Sequence, residues 1–352
     1  MFKGSSMKVI NIVSGKGGTG KTLLTAVLAE ALGNAGSNVL VIDLDVFVRG
    51  LTSLLYYHKN EKIKLCEAWE MSVADFFINK GNPGVFEGRH KKFAITRYRS
   101  FDVIPSVSRV NELLQFSDLM PDTKQEALSY IQGLLRAITK DKSYDFIFFD
   151  SRAGYDELIS ASHQCSDITI CVEEEDNISK ITTDNLINQM DNDTSNPIFR
   201  LINKSTSDKD YSTNSITHIG GIPFDMDIMR TFGQANFWDD LKSTIYLESL
   251  IKSWNNLSNK MELSHYIESK RQSPFRNSSI EKKLQFYSLK DRVMILYGTL
   301  IGFMGVLYPL FQAGLFNDLL NDRELLLRII SSFIGILGFA STFIIVLKNK
   351  KK

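Results

Sequence analysis

The chain has 352 residues, with 41 Lys and Arg against 40 Asp and Glu, and 43% of its side chains are hydrophobic. That length holds one large domain plus accessories, and a near-zero net charge argues against a protein whose main business is coating nucleic acid. Three scattered cysteines (Cys66, Cys165, Cys171) offer no disulfide framework and no CxxC pair, which points to a reducing compartment. The five histidines stand apart from one another and from the cysteines, so no metal-ligand spacing appears. The first residues lack an apolar run with a small-residue cleavage site, and the expectation is a main domain that stays in the cytoplasm.

From residue 7 to about 261, short apolar runs alternate with helical patterns. Strands are expected at 8–14, 38–43, 101–104, 145–150, 167–172 and 199–203, with 216–223 as a seventh. Several are apolar on successive residues (VLVID, FIFFD), as suits strands buried on both faces of a parallel sheet. The helical patterns between them predict a βαβ series with right-handed crossovers, and so an α/β fold: a mostly parallel sheet flanked by helices.

The rest of the chain has a different composition. A polar stretch covers 262–292, followed by 293–316 and 329–347, neither of which carries a charged side chain. At about 1.5 Å rise per residue, each is long enough to cross a hydrocarbon core of about 30 Å. Too few residues separate them to hold a domain, so a two-helix transmembrane hairpin is expected at 293–347, with a basic tail at 348–352. Lys282, Lys283, Lys290 and Arg292 precede the hairpin, and Lys348, Lys350, Lys351 and Lys352 follow it. This charge bias places both chain ends and the 1–261 domain on the cytoplasmic side of a bacterial cell membrane. Small residues at Gly298/Gly302 and Ser331/Gly335 would let helix backbones approach closely, within the hairpin or in an oligomer.

The chemistry is concentrated in Ser14-Gly15-Lys16-Gly17-Gly18-Thr19-Gly20-Lys21-Thr22. Gly15 to Thr22 matches the Walker A pattern G-x-x-x-x-G-K-[ST], in the strand–loop–helix context that a P-loop NTPase requires. Glycines let successive backbone N–H groups point at phosphate oxygens with no Cβ in the way, and the helix that follows adds the positive end of its dipole. Lys21 is expected at the β- and γ-phosphates and the Thr22 hydroxyl on Mg²⁺, so ATP and Mg²⁺ are the expected cofactors.

Lys16 sharpens the match. The run KGGTGKT resembles the deviant Walker A loop of the ParA/MinD family, which also contains the nitrogenase iron protein and the arsenite and tail-anchored-protein ATPases. The resemblance implies that Lys16 crosses a nucleotide-dependent homodimer interface to the partner's nucleotide, much as an arginine finger does. It also places Gly15, Gly17, Gly18, Thr19, Gly20, Lys21, Thr22 and Thr25 around the nucleotide. VLVIDLDVFVRGLT (39–52) looks like the family's switch I, in which Asp45 would orient the attacking water and Asp43 would lie near Mg²⁺. DFIFFDSRAG (145–154) looks like the Walker B and switch II segment, with Asp150 on the Mg²⁺ water shell and the backbone around Gly154 sensing the γ-phosphate. Here Arg152 stands where the family has proline. Asn203 matches an adenine-contacting asparagine at a strand end, and Pro223, Phe224 and Asp225 match a segment lining the base. The likeness covers about 7–260 and is weakest over 54–99.

Beside that weak match lies RHKKFAITRYR (89–99), basic with interleaved aromatics, either a solvated face or a site for nucleic acid or anionic lipid. The whole chain is expected to be a membrane-anchored ATPase and dimerisation switch that recruits or activates a protein partner not identified from sequence. Assembly beyond a dimer is left open. Three alternatives stand beside that reading: a membrane effector gated by the ATPase, as in a bacterial defence system; a non-hydrolysing nucleotide-bound scaffold; and a relative of the bacterial tyrosine autokinases.

Overall fold

The structure is a computed structural model that describes residues 7–59, 65–109, 113–140, 142–206, 217–234, 237–241, 244–263 and 267. The chain divides into two units at Lys270, and the expected hairpin lies outside the described residues. Among those described, no helix is long and apolar enough to cross a membrane.

The first unit opens with β1 (Lys8–Ser14), α1 (Lys21–Asn34), β2 (Val39–Asp43) and α2 (Gly50–Lys59). A more irregular section follows: β3 (Glu70–Met71), α3 (Val73–Ile78), β4 (Val85–Phe86), β5 (Arg89–His90), β6 (Lys92–Phe93), β7 (Thr96–Tyr98) and β8 (Phe101–Ile104). Next come α4 (Phe116–Leu119), α5 (Lys124–Thr139), β9 (Phe146–Ala153), α6 (Glu157–Gln164), β10 (Ile168–Glu173) and α7 (Asn177–Asp191). The unit ends with β11 (Ile198–Ser205), β12 (His218–Pro223), α8 (Met226–Thr231), α9 (Phe237–Leu241) and α10 (Ile245–Lys260).

Eight strands form one sheet in the order β12-β11-β10-β1-β9-β2-β8-β7. Every pairing in it is parallel except the edge pair β7–β8. All seven strands expected from the sequence are present and build the parallel part. β1 lies between β9 and β10, the point where strand order turns back on itself, and a crevice opens beyond the carboxyl ends of the strands at such a point.

Burial on both faces explains the uninterrupted apolar runs. Along β9, Phe146 and Phe148 face α1 and α10, while Ile147 and Phe149 face the layer built on α3 and α5. Helix starts are encoded locally. Ser72 and Asp75 form a reciprocal capping box on α3, and Thr123, Asp156, Asp176, Asp225 and Thr244 cap α5, α6, α7, α8 and α10. Helix α1 is different: Gly20 occupies its N-cap at φ 89° with no side-chain cap, which leaves its first N–H groups available to a ligand.

Two features were not anticipated. The antiparallel edge strand β7 and the two-residue ladders β3–β6 and β4–β5 are too short to carry a periodic signal. The packed core also continues past residue 261, because Asn255 exchanges hydrogen bonds with the backbone of Ile267 at 3.0 and 3.1 Å.

Trp254 of α10 is 1% exposed and meets Phe146 edge-on at 5.3 Å. Trp254→Ala is expected to destabilise the fold by about 3–5 kcal/mol through lost burial and the cavity left behind. Chemical denaturation checks this; a loss below about 1 kcal/mol, the size of a typical surface change, would remove α10 from the core.

Candidate nucleotide site

Between β1 and α1 the backbone folds into a cradle. Added Cβ atoms at Gly17 or Gly18 would meet nothing within 4 Å, so this stretch borders open space. Gly15 and Gly20 are instead needed for close packing. A Cβ on Gly15 would lie 2.4 Å from the Thr182 carbonyl carbon of α7, and one on Gly20 would lie 2.5 Å from the Asn203 amide nitrogen. Lys21 Nζ donates to Ser14 Oγ at 2.9 Å, and that hydroxyl donates to the Lys16 carbonyl at 2.7 Å. Burial holds the Lys21 ammonium below its usual pKa, opposed by the charges of Asp150 and Asp45.

Acidic groups converge beside Lys21 from two strand ends. Asp150 is 1% exposed, and its Oδ1 accepts from the Thr25 hydroxyl at 3.4 Å. Its other oxygen, Oδ2, is buried and has no hydrogen-bond partner in the protein. Asp43 has used both of its oxygens: Oδ2 accepts from the Thr52 N–H and hydroxyl at 2.8 and 2.7 Å, and Oδ1 accepts from the Asp45 N–H at 3.1 Å. Asp43 therefore fixes the backbone between Asp45 and Thr52. Asp45 is half-buried, with Oδ1 accepting from the Val48 N–H at 3.0 Å. Gly50 brings this segment close to Thr22, since a Cβ there would approach the threonine Oγ1 to 3.0 Å.

These groups suit a magnesium–nucleotide complex. The unsatisfied Asp150 oxygen and the Thr22 hydroxyl are hard oxygen donors, which a small dication that keeps several waters and binds through phosphates requires. Among the described residues no group of three or more His, Cys, Asp or Glu could hold a metal by itself, so phosphates and water would supply the remaining ligands.

The segment expected to be switch II begins at the end of β9. The Gly154 N–H donates to the Ser14 carbonyl at 2.9 Å, with Gly154 at φ 86°. Arg152 forms an ion pair with Asp156, the residue that caps α6. An arginine is thus accommodated where the resemblance expects proline.

At the end of β11, the Asn203 amide donates to the Thr19 carbonyl at 2.7 Å, while its own buried carbonyl oxygen and the Thr19 hydroxyl have no partner. Asn203 therefore braces the P-loop and keeps one acceptor unspent. The Phe224 N–H donates to Ser205, which aligns Pro223 and the half-exposed Phe224 ring alongside the end of β11. Asp225 spends its carboxylate capping α8 through the N–H groups of Asp227 and Ile228.

Lys16 does not point into its own cradle. Its Nζ lies 2.6 Å from Glu174 and 2.7 Å from Asp176, just beyond β10. Hydrogen bonds to Asp176 and then Glu174 raise its pKa. Glu174 also binds Lys204, whose ammonium reaches the Gly18 carbonyl. Sequence reasoning missed Ser14, Thr52, Glu174, Asp176 and Lys204. The Ser14 and Thr52 positions lie inside motifs already singled out. Nothing local connects Lys16 to Asp176, 160 positions away.

The parallel sheet, the glycine cradle and the acidic strand ends together define a P-loop NTPase fold. The described fold is shared with a plasmid partition protein of Borrelia burgdorferi bound to AMPPNP (TM-score 0.55, 18% identity, covering 72% of this chain and 100% of that one). It is shared equally with the septum site-determining protein MinD of Pyrococcus horikoshii complexed with Mg-ADP (TM-score 0.52, 21% identity, 71% and 96%). Residues 7–200, more than half of the chain, match the family model described as an AAA domain, and the chain belongs to that family. Two uncharacterised ATP-binding proteins of Methanocaldococcus jannaschii are similar over shorter stretches. One is 37% identical across 22% of this chain and 30% of its own length, the other 30% identical across 42% and 45%. The chain thus spans less than half the length of the curated relatives it matches.

Burial pushes the carboxyls of both Asp43 and Asp150 above the usual range; for Asp150 the Thr22 hydrogen bond and the Lys21 charge pull the other way. In this window the folded state holds protons that the unfolded state has released, so the nucleotide-free protein loses stability as pH rises. Its thermal midpoint is expected to fall between about pH 5 and pH 8, while the midpoint gain from Mg²⁺ and ATP grows over the same range. Differential scanning fluorimetry reads both trends, and a gain independent of pH would separate these carboxylates from the metal.

Proposed function

We propose that the protein is a Mg²⁺-dependent ATPase whose subunits pair on ATP, and that its hairpin at 293–347 fixes it to the cytoplasmic face of a membrane, where the paired state recruits or activates a protein partner. One observation carries the nucleotide part: an uncapped helix start beneath open Gly17 and Gly18, beside a buried Asp150 oxygen with no protein partner. The ATP-binding relatives and the Mg-ADP-bound neighbour support the same choice of ligand.

The residues divide the work. Backbone N–H groups of 17–22 and the Lys21 ammonium take the phosphate charge, which is where phosphoryl transfer gains most of its catalysis. Thr22 and Asp150 would hold magnesium, which would supply charge neutralisation on the phosphates. Asp45, half-buried at the mouth of the site, orients the attacking water. A carboxylate at this position favours hydrolysis over a purely structural use of nucleotide. Lys16 is withheld in a lone chain by Glu174 and Asp176; pairing transfers it to the opposing nucleotide, the role its family resemblance implies. Anchoring rests on the charge-free stretches 293–316 and 329–347 and their basic flanks. Two inserted helices hold more firmly than a reversible surface helix or one or two acyl chains, so the switch acts by changing state in place.

Lys21→Ala is expected to abolish ATP binding or turnover. Asp45→Ala should retain ATP and Mg²⁺ while hydrolysis falls by at least about 100-fold. Phosphate release together with titration of a fluorescent ATP analogue separates the two effects. Wild-type turnover by Asp45→Ala would displace Asp45 from the water-positioning role.

A further inference from the structure

The section between α2 and β8, where the family likeness is weakest, builds an exposed surface that the nucleotide site does not use. Its centre is the β4–β5 hairpin. Glu87 and Gly88 form a two-residue turn with φ 47° and 76°, the pair of positive angles that matches the twist of a tight hairpin. The Lys91 N–H donates to Gly84 at 2.7 Å and the Lys92 N–H to Trp69 at 3.2 Å, so the hairpin, β6 and the Trp69 loop form one continuous piece of backbone.

This piece displays apolar side chains among positive charge. Trp69 is 57% exposed, Val85 62% and Ile78 45%, although the unit has two large cores in which to bury such residues. Residues 78–99 carry six Lys and Arg against a single acid, Glu87, while Glu67 and Glu70 flank Trp69 on the neighbouring loop. Arg97 and Arg99 are engaged by Asp102 and Glu30, whereas Arg89 sits at the exposed tip of the hairpin.

We propose that Trp69, Ile78 and Val85, with Arg89, Lys91 and Lys92, form a docking surface for anionic lipid headgroups. The combination selects the occupant. An amphipathic ring such as Trp favours the headgroup level of a membrane, and basic residues beside it are drawn to the negative cytoplasmic leaflet. Phosphates of nucleic acid would satisfy the charges but would leave Val85 and Ile78 unused. The proposal rests on the membrane reading above and adds to it a second, charge-dependent contact made by the ATPase unit itself.

The test uses the full chain in vesicles whose acyl chains are brominated, either neutral or containing an anionic phospholipid. Of the three tryptophans, Trp238 and Trp254 are 5% and 1% exposed, so a quencher at the membrane surface reports on Trp69. Emission is expected to be about twofold lower in anionic than in neutral vesicles, with the difference lost near 1 M salt, where the Debye length is about 3 Å. Arg89→Glu with Lys91→Glu should abolish the difference while ATP hydrolysis is unchanged, and Trp69→Phe should remove the quenchable signal. Equal emission in the two vesicles, with protein still bound after alkaline carbonate, overturns the docking surface and leaves the anchor standing. Carbonate release from neutral vesicles overturns the anchor instead, and capture and quenching by anionic vesicles then still support the surface. Protection of Trp69 from iodide by a DNA or RNA oligonucleotide, without quenching in anionic vesicles, assigns the surface to nucleic acid and overturns the proposal.

Discussion

The site is organised around a buried negative charge that the protein leaves incompletely compensated. An ionised carboxylate away from water is costly unless it is paired or coordinated, and Asp150 has one oxygen with no partner and a lysine nearby that is itself desolvated. Asp43 and Asp45 add two more carboxyl groups from the end of the neighbouring strand. Register enforces this crowding: Asp43 pairs directly with Asp150 across β2 and β9, and Ile12 pairs with Asp150 across β1 and β9. The carboxylates are brought together by the same parallel ladder that forms the core. A dication would compensate that charge, which couples ligand binding to stability.

A second charge balance governs the signature lysine. Lys16 lies on the loop whose amides border the open cradle, yet its ammonium is held by Glu174 and Asp176 beyond β10. Glu174 also secures Lys204, which in turn holds the Gly18 carbonyl. Loop, β10 end and β11 end are therefore joined by one network of alternating charge. Asp176 caps α7 as well, so release of Lys16 would be felt at the start of that helix. On this account the resting chain stores its intersubunit residue internally, and pairing exchanges carboxylate partners for phosphate.

Much of this was legible in the sequence, and the limits have physical causes. Buried parallel strands announce themselves as apolar runs, so all seven were placed within a residue or two at most ends. β9 and β11 run further than expected, to Ala153 and Ser205, because pairing with β1 and β12 extends them through polar residues. The P-loop was legible because its glycine spacing leaves few alternatives. What could not be read was the partner of each polar group: Lys16 and Asp176, and Asn203 and Thr19, meet only through the sheet order, while Asp43 meets Thr52 through the fold of the loop that joins β2 to α2. Segment 65–99 was opaque for a different reason. Its strands are two or three residues long, and a ladder so short is stabilised by neighbouring packing rather than by any period in its own side chains.

If Lys16 completes a site only in the opposing subunit, hydrolysis must depend on encounter between chains. The most direct measurement is the ATP turnover per chain as a function of protein concentration in detergent, with saturating ATP and Mg²⁺. The per-chain rate is expected to rise with concentration to a plateau, and Lys16→Ala to give a low rate that does not depend on concentration. A wild-type rate per chain that stays constant from dilute to concentrated protein would contradict it.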